Sequence, residues 1–385
     1  MNLSGEKWLQ DERAQAVFSM LEAAGFVALA VGGCVRNALF GLPVQDVDIS
    51  TDALPETVMK LAQKAGLKAV PTGIEHGTIT VVSNGEPFEV TTFRKDVETD
   101  GRRAVVAFST DIMEDAKRRD FTMNALYVDA RGKVLDPLGG LPDLKARRLR
   151  FIENAFERIA EDYLRILRYF RFYALYCDPM QGPDMEAIAA ISANLDGLEG
   201  LSAERVGAEM QKLLGASDPA PALAMMAQTG VLARVLAGAD PQFIAPLVAI
   251  EAGAPISWLR RLAVLGGEAP KDRLRLSNTD ARHLKNIHKA MGFPSLLEAG
   301  YRLGAPAATD ALFVQCASLG QMAEPQVLAS ITRAANQVFP LKAADLMPAI
   351  SPGPALGAEL KRLESLWISS GFTLSKAALD KLVNP

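Results

Sequence analysis

Five residues near the start of the chain have the types and the spacing to bind a phosphate and a metal ion. Gly32 and Gly33 follow an apolar run that predicts a strand, and a short helix is predicted after them. Glycines at such a turn let backbone N–H groups approach a phosphate, and Arg36 can bind a second phosphate oxygen. Asp46 and Asp48 lie two positions apart on a predicted strand, so their carboxylates share a face and can hold Mg²⁺. The pattern predicts phosphoryl transfer; the alternative is a strand–turn–helix with two surface aspartates.

Two further stretches carry charged residues at distinctive spacing. Residues 118–124 read Arg-Arg-Asp-Phe-Thr-Met-Asn, and residues 161–165 read Glu-Asp-Tyr-Leu-Arg. With the upstream motifs they resemble the class II CCA-adding enzymes and bacterial poly(A) polymerases, and the resemblance extends over residues 25–214. It implies that Asp46 and Asp48 are catalytic and hold Mg²⁺. It also implies a set of nucleotide-binding residues: Gly32, Gly33, Arg36, Arg119, Asp162, Arg165, Arg168 and Arg171.

The last of these motifs is predicted to lie on one amphipathic helix. Over residues 161–172 the apolar spacing predicts a buried face that includes Ile166 and Leu167. Asp162 and Arg165 lie on neighbouring turns of the other side, close enough to span the edge of a base. The resulting hypothesis is a protein template in which the carboxylate accepts from the amino group of cytosine or adenine and the guanidinium donates to a ring nitrogen. The alternative is a solvated face with an ion pair one turn apart.

Elements that position the first motifs can be predicted from periodicity and turn residues. Helices are predicted over 11–24 and 55–65, and strands over 77–82 and 88–93. Asn84-Gly85 between the two strands is a strong hairpin signal. These elements predict a small mixed α/β sheet with helices, and the resemblance implies that it is a nucleotidyltransferase head followed by an all-α neck, body and tail. The domains that the resemblance implies are the head over 1–141, a base-recognising helical neck over 142–215, and a tRNA-binding helical body and tail over 216–385.

Three features of the head leave alternatives open. Glu89 lies on a predicted strand where a third acidic residue often occurs in this superfamily, but a solvated glutamate is an equal alternative, and we leave it outside the metal site. Residues 95–103 resemble the family's flexible loop, although their composition alone predicts a solvated hairpin tip. Asn37 stands where the family usually has aspartate. It keeps a helix-capping hydrogen-bonding group but loses a charge.

One basic helix is predicted in the C-terminal half. Ser277 resembles the start of a capping box with Asp280. The basic residues that follow could track an RNA backbone or form a solvated face, and they are Arg282, Lys285 and Lys289. His283 and His288 lack acidic partners in the sequence, so no metal site is predicted there.

Composition limits the classes of protein that remain. The chain has 385 residues, of which 49% are hydrophobic and 22% charged, which indicates several globular domains and little disorder. Its three cysteines lack metal-ligand spacing, and no apolar run reaches membrane-spanning length. We expect a cytoplasmic protein that binds neither a membrane nor a stable protein partner.

The resemblance implies addition of the tRNA 3′-terminal CCA from CTP and ATP, with Mg²⁺ as cofactor and tRNA as partner. The alternatives are a poly(A) polymerase, a partial enzyme that adds only the cytidines or the adenosine, and a non-catalytic RNA-binding module. The glycine turn Gly32-Gly33 without a basic residue, and the presence of all carboxylates and arginines of the motifs, favour CCA addition.

Overall fold

The computed structural model of the chain describes residues 1–100, 103–347 and 349–384, with backbone alone for 96–100 and 103–106. It divides into two compact units. The first contains Met1–Val206 and Gln228–Arg234, and the second contains Gly207–Ala227 and Val235–Pro385. The predicted head–neck boundary at residue 141 lies inside the first unit, and the three-part domain organisation stays a prediction.

A seven-stranded mixed sheet forms the centre of the first unit. Its strands are β1 (Leu29–Val31), β2 (Asp48–Thr51), β3 (Lys68–Gly73), β4 (Thr78–Ser83), β5 (Glu86–Thr92), β8 (Tyr127–Asp129) and β9 (Val134–Leu135). Between β5 and β8 along the chain, β6 (Arg94–Asp100) and β7 (Arg103–Phe108) form a separate hairpin. The order in the sheet is β3-β4-β5-β2-β1-β8-β9. Only the β2–β5 pair of this sheet is parallel, among the residues described. The predicted α/β fold class is confirmed.

Helices cover this sheet and continue beyond it. They are α1 (Lys7–Gln10), α2 (Glu12–Glu22), α3 (Gly33–Phe40), α4 (Pro55–Lys64), α5 (Ile112–Lys117), α6 (Leu141–Lys145), α7 (Ala155–Glu161), α8 (Leu164–Tyr176), α9 (Met185–Ala193) and α10 (Ala203–Leu214), in which the two units divide. The helix predicted over 11–24 is confirmed as α2, and its apolar face is buried, with Val17 and Phe18 both fully inaccessible to solvent. Asp11 caps this helix by accepting from the backbone N–H of Arg13 at 2.9 Å.

The predicted hairpin is confirmed, and three strands of the sheet, β3, β8 and β9, were not predicted. Asn84 and Gly85 have φ values of 46° and 83°, as a tight turn between β4 and β5 requires. β3 escaped prediction because it is an edge strand with Pro71 inside it and no alternation of buried and exposed residues. Residues 95–103 belong to the β6–β7 hairpin, except that residues 101 and 102 lie outside the described part of the chain. The flexibility expected there stays a prediction.

The single helix predicted over 161–172 is wrong. α7 ends at Glu161, Asp162 is extended with φ −153° and ψ 105°, and α8 begins at Leu164. The Asp162 carboxylate accepts from the backbone N–H of Leu164 at 3.1 Å, a local side-chain contact that competes with the continuation of α7. The predicted buried face remains, because Ile166 and Leu167 are fully or almost fully buried.

The remainder of the chain is helical. Its elements are α11 (Ala220–Gln228), α12 (Val231–Val235), α13 (Ile244–Ile250), α14 (Trp258–Leu265), α15 (Pro270–Arg273), α16 (Asn278–Met291), α17 (Leu296–Leu303), α18 (Ala305–Leu319), α19 (Pro325–Ala335), α20 (Ala343–Leu346), α21 (Pro354–Ser369) and α22 (Lys376–Asp380). Ser277 caps α16 by accepting from the backbone N–H of Asp280, as predicted. No described helix combines the length and apolarity needed to cross a membrane.

A buried network of charges lies in the core of the second unit. Arg260 binds Glu251 at 2.8 Å and Asp310 at 2.7 Å, and Arg261 binds Glu251 at 2.9 Å. His283 Nε2 lies 2.8 Å from Asp310, so the expectation that this histidine lacks an acidic partner is wrong. The partner is 27 positions along the chain, on another helix, which spacing cannot show. Since each buried charge is paired, removing one partner would leave the other uncompensated.

Candidate active site

The two glycines form the predicted turn between β1 and α3. Gly32 has φ 72° and ψ −116°, which a residue with a side chain adopts only under strain, and α3 begins at Gly33. A Cβ on Gly32 would lie 3.5 Å from Nη1 of Arg119. The structure therefore brings the first and second sequence motifs together at this turn.

The two predicted metal-binding aspartates lie at the start of β2. This strand begins at Asp48, so Asp46 precedes it and the prediction that both aspartates lie on the strand is wrong. That the two carboxylates share a face stays a prediction. Both are exposed, as is Glu89, which lies opposite Asp48 in the parallel pairing of β2 with β5. Although Asp48 is partly exposed, desolvation by the surrounding protein raises its pKa to about 6. The negative charges of Glu89 and Asp46 raise this pKa further, and the positive charge of Arg119 lowers it. Within the described residues, no group of three or more His, Cys, Asp and Glu is arranged to hold a metal ion.

Arg119 connects the acidic strand to the rest of the site. Its Nη2 contacts Ser50 on β2 at 3.4 Å and Asp115 at 3.0 Å, and its Nε donates to Tyr127 on β8 at 3.2 Å. Asp115 is fully buried and also binds Arg118 at 2.9 Å. Burial opposes its ionisation, but Arg119 and Arg118 outweigh burial and hold the pKa of Asp115 at about 2. The Arg119 guanidinium is thus fixed in orientation beside the glycine turn.

Arg36 lies deeper than the sequence suggested. It is only 7% exposed, and its terminal nitrogens donate to Asn124, Asn37 and Tyr176 at 2.5, 2.9 and 2.8 Å. Burial lowers the pKa of its guanidinium. Asn37 lies within α3 and donates to the carbonyl of Pro43, so it does not cap the start of the helix. The structure places Arg36 beneath the glycine turn with both terminal nitrogens already bound to protein, and its contact with a phosphate stays a prediction.

Beside this turn lies a cleft of about 270 Å³ with an excess of positive charge. Five arginines and two aspartates contribute to its lining, which consists of Arg118, Arg119, Asp120, Asp162, Leu164, Arg165, Arg168 and Arg205. Residues from two of the sequence motifs and from α10 meet here. An anionic ligand is the chemistry that such a cleft favours.

Asp162 and Arg165 are both in the cleft, but they are not paired with each other. Asp162 binds Arg205 of α10 at 2.6 Å. The Arg165 guanidinium binds Glu161 at 2.5 Å and donates to the carbonyls of Arg158 and Arg118, each at 2.9 Å. The idea that both lie on one helix face is wrong because α7 and α8 are separated at Asp162. Base reading by the two residues stays a prediction.

The other two predicted nucleotide-binding arginines lie further along α8. Arg168 binds Asp120 at 2.6 Å and keeps about a third of its side chain exposed to the cleft. Arg171 is half-buried with its Cζ 4.6 Å from the centroid of the Phe172 ring, and it is not part of the cleft lining. Arg205 of α10 was not among the predicted nucleotide-binding residues, and its positive charge is the one sequence signal that could have suggested a place in the cleft.

Comparisons with known proteins agree with this geometry. The family described as "Poly A polymerase head domain" matches residues 28–150, and the family described as "Probable RNA and SrmB- binding site of polymerase A" matches residues 183–243. Mouse mitochondrial CCA tRNA nucleotidyltransferase 1 is 33% identical over 365 residues, which cover 90% of this chain and 84% of the relative. The human enzyme of the same name is 32% identical over 377 residues, with the same coverage.

Similarity also extends to a solved structure. The Bacillus stearothermophilus CCA-adding enzyme, crystallised in complex with CTP, superposes with a TM-score of 0.76 at 28% identity, and 96% of each chain is covered. Sequence identity above 30% over nine-tenths of the chain, together with this shared fold, leads to one conclusion: the chain belongs to the family of CCA-adding tRNA nucleotidyltransferases.

Proposed function

We propose that this chain adds the 3′-terminal CCA to tRNA from CTP and ATP and releases pyrophosphate. The observation that carries the proposal is the place of Arg119, which lines the arginine-rich cleft and lies beside the Gly32 turn while also contacting β2. A triphosphate at the turn and a base in the cleft would therefore be neighbours. The names of the relatives, which include CCA tRNA nucleotidyltransferases, support the same activity.

We propose that Asp46 and Asp48 hold Mg²⁺. Mg²⁺ in proteins is commonly bound by one or two carboxylates together with substrate phosphates, so two exposed carboxylates beside a phosphate turn fit this ion without a complete protein ligand set. When bound, the ion would neutralise charge on the triphosphate and favour ionisation of the RNA 3′-hydroxyl. Glu89, opposite Asp48, adds negative charge to the same edge.

The chain's own residues bind and orient the nucleotide. Gly32 leaves room for a phosphate to approach the backbone, and the Nη1 of Arg119 faces that space. Asp120 and Asp115 hold Arg168 and Arg119 in fixed orientations, so little is lost in ordering them when an anion binds.

Selection of the base is proposed for Asp162 and Arg165. Cytosine and adenine present an amino donor beside a ring-nitrogen acceptor, whereas uracil and guanine present a carbonyl beside a ring N–H. A carboxylate and a guanidinium match the first pattern and oppose the second. Because Arg205 already binds Asp162, this carboxylate would enter the recognition from a fixed position.

RNA binding is proposed for the second unit. α15 and α16 line a cavity of about 690 Å³, and the nitrogen-bearing side chains of its lining include Lys271, Arg282, Lys285 and His288. In the described part of the chain, these two lysines and Arg282 have no ion-pair partner within 4 Å, unlike most arginines of this protein. Such cations remain available for RNA phosphates.

We also propose a cytoplasmic location, supported by three free thiols. The mouse and human relatives carry the word mitochondrial in their names. Fractionation of cells that express the tagged chain would test the location, and recovery with mitochondria would contradict it.

The experiment that tests the activity uses three tRNA transcripts, which end before CCA, after the first C and after both Cs. Each is incubated with the chain, Mg²⁺ and one labelled nucleotide at a time. Completion of CCA on all three, with no further extension, supports the proposal. Long adenosine tails would indicate a poly(A) polymerase, and addition of C alone or A alone a partial enzyme. Binding without incorporation would indicate an RNA-binding module.

A further inference from the structure

α8 is attached to the catalytic motifs at several residues, two of which belong to a single chain of hydrogen bonds. The first is Arg168, which binds Asp120 in the cleft. The second is Tyr176, eight positions later, which corresponds to about 12 Å along the helix. Only the first of these points lines the cleft. The second lies under the glycine turn, at a residue that no sequence motif contains.

The two points are joined by a closed chain of hydrogen bonds. Asp120 accepts from Arg168 at 2.7 Å and from the Asn124 amide at 2.8 Å. The amide oxygen of Asn124 accepts from Arg36 at 2.5 Å, and Arg36 donates to the Tyr176 hydroxyl at 2.8 Å. The chain starts on α8, passes through the second motif and α3, and returns to α8.

Aromatic packing reinforces the Tyr176 end of this chain. The Tyr176 ring stacks on Phe40 of α3, with centroids 5.8 Å apart and an angle of 4° between the planes. The Cζ of Arg36 lies 4.2 Å from the Tyr176 ring centroid and 4.9 Å from that of Phe172. Both rings that surround this guanidinium come from α8. A guanidinium enclosed in this way gains cation–π attraction as well as hydrogen bonds.

Arg36 depends on these contacts because it is desolvated. Its Nε is buried and has no hydrogen-bond partner among the described residues. Loss of the Tyr176 hydroxyl would remove one more acceptor from a buried cation, and the cation would shift to recover a partner. Because Arg36 lies in the first turn of α3, such a shift would be transmitted to Gly32 and Gly33.

We propose that Tyr176 is a positioning residue for nucleotide binding, which through Arg36 holds the glycine turn of α3 at a fixed distance from the arginine face of α8. The inference rests on the proposed function, since it assumes that the triphosphate lies at the turn and the base in the cleft. Tyr176 itself touches neither and acts through Arg36.

The test compares Tyr176→Phe with Tyr173→Phe in the full chain. Tyr173 is on the same helix and buried, but its hydroxyl has no hydrogen-bond partner among the described residues. For each variant, KM and kcat for CTP and ATP, the Kd of CTP by calorimetry and the thermal midpoint are measured. We expect Tyr176→Phe to raise KM and Kd about tenfold, with kcat changed less than about twofold, because β2 and its carboxylates are untouched. Tyr173→Phe should match the parent chain.

A second variant, Phe40→Leu, removes the stacking ring and keeps the hydroxyl. It should raise KM in the same direction by a smaller factor, about threefold. Unchanged KM and Kd in Tyr176→Phe, or a lowered thermal midpoint with unchanged KM, would overturn the proposal. Absence of CTP binding by the parent chain would instead contradict the proposed function.

Discussion

Asp162 binds Arg205, 2.6 Å away on α10, and not Arg165, which lies three positions along its own segment. Arg165 binds Glu161 of α7 instead. The carboxylate proposed to read the base is therefore oriented by a residue from a different helix. Both Asp162 and Arg205 keep about a third of their side chains exposed, so the pair remains open to the cleft.

Asp162→Ala should relax base selection. Removal of the carboxylate deletes the acceptor for the amino group of cytosine or adenine and also the group that opposes a carbonyl of uracil or guanine. We expect slower incorporation of CTP and ATP and a fall of about 10²-fold or more in discrimination against UTP and GTP. Single-nucleotide incorporation kinetics with all four nucleotides provide the measurement. If the variant loses stability but keeps its base preference, Asp162 is only a structural ion-pair partner.

Arg205→Ala should affect the same property through Asp162. Without its partner the carboxylate is no longer fixed, and we expect discrimination to fall about tenfold while Asp162 itself remains. Arg234→Ala is the matched control, because Arg234 also forms ion pairs, with Asp196 and Glu199, on an exposed surface. Equal selectivity in the two variants would show that Arg205 does not orient the base-reading carboxylate.

Asp46→Asn and Asp48→Asn should each abolish incorporation while binding of tRNA persists. Each change keeps the shape of the side chain and removes one negative charge from the proposed metal site, so we expect a loss of about a thousandfold or more. Glu75→Gln, an exposed carboxylate of the turn Ile74–His76, is the control. Turnover close to that of the parent chain in either aspartate variant would exclude that residue as a metal ligand.

Asp115 should make the free energy of unfolding depend on pH in the acidic range. Its pKa is about 2 in the folded state, where Arg119 and Arg118 outweigh the opposing effect of burial, and about 3.9 when unfolded. A carboxyl group whose pKa is lower in the folded state stabilises the fold at pH values above its unfolded-state pKa. Its contribution of about 2 kcal/mol to the free energy of unfolding is therefore complete above about pH 4 and is lost as the pH falls toward about 2. Urea unfolding of the parent and Asp115→Asn between these values measures the effect. The free-energy difference between them should narrow as the pH falls.

The control for that experiment is an exposed pair. Arg13 lowers the pKa of Asp11 to about 2 by hydrogen bonding, but solvent surrounds both side chains. Asp11→Asn should therefore change the unfolding midpoint little, and about 1 M NaCl should remove any effect. A pH-independent difference between the parent chain and Asp115→Asn would contradict the assignment of the charge to Asp115.

Arg282→Ala combined with Lys285→Ala should weaken tRNA binding in a salt-dependent way. If both side chains bind phosphates, the slope of log K against log salt should become shallower by about 2. Lys361→Ala with Lys381→Ala, two exposed lysines elsewhere in the second unit, is the control pair. CTP affinity, measured in parallel, should not change. An unaltered slope would remove the cavity between α15 and α16 from the RNA-binding surface.

Local patterns in the sequence determined much of the first unit. The helices predicted over 11–24 and 55–65 and the Asn84-Gly85 turn each depend on neighbours within a few residues, and the structure confirms all three. The motif residues were also identifiable, because glycine, carboxylate and guanidinium groups have few alternatives for holding a phosphate and a metal.

Only the tertiary structure decided which charged residue faces which. Asp162 meets Arg205 across 43 positions, and Arg36 meets Tyr176 across 140. The parallel register of β2 with β5, which sets Asp48 opposite Glu89, likewise depends on a crossover between distant segments. Spacing along the chain encodes which face of an element is buried, but not which distant element packs there, because that choice is made by the packing of the whole unit. For the same reason the hydrogen bond from the backbone N–H of Leu164 to the Asp162 carboxylate, which competes with a continuous helix, could be resolved only in the folded chain.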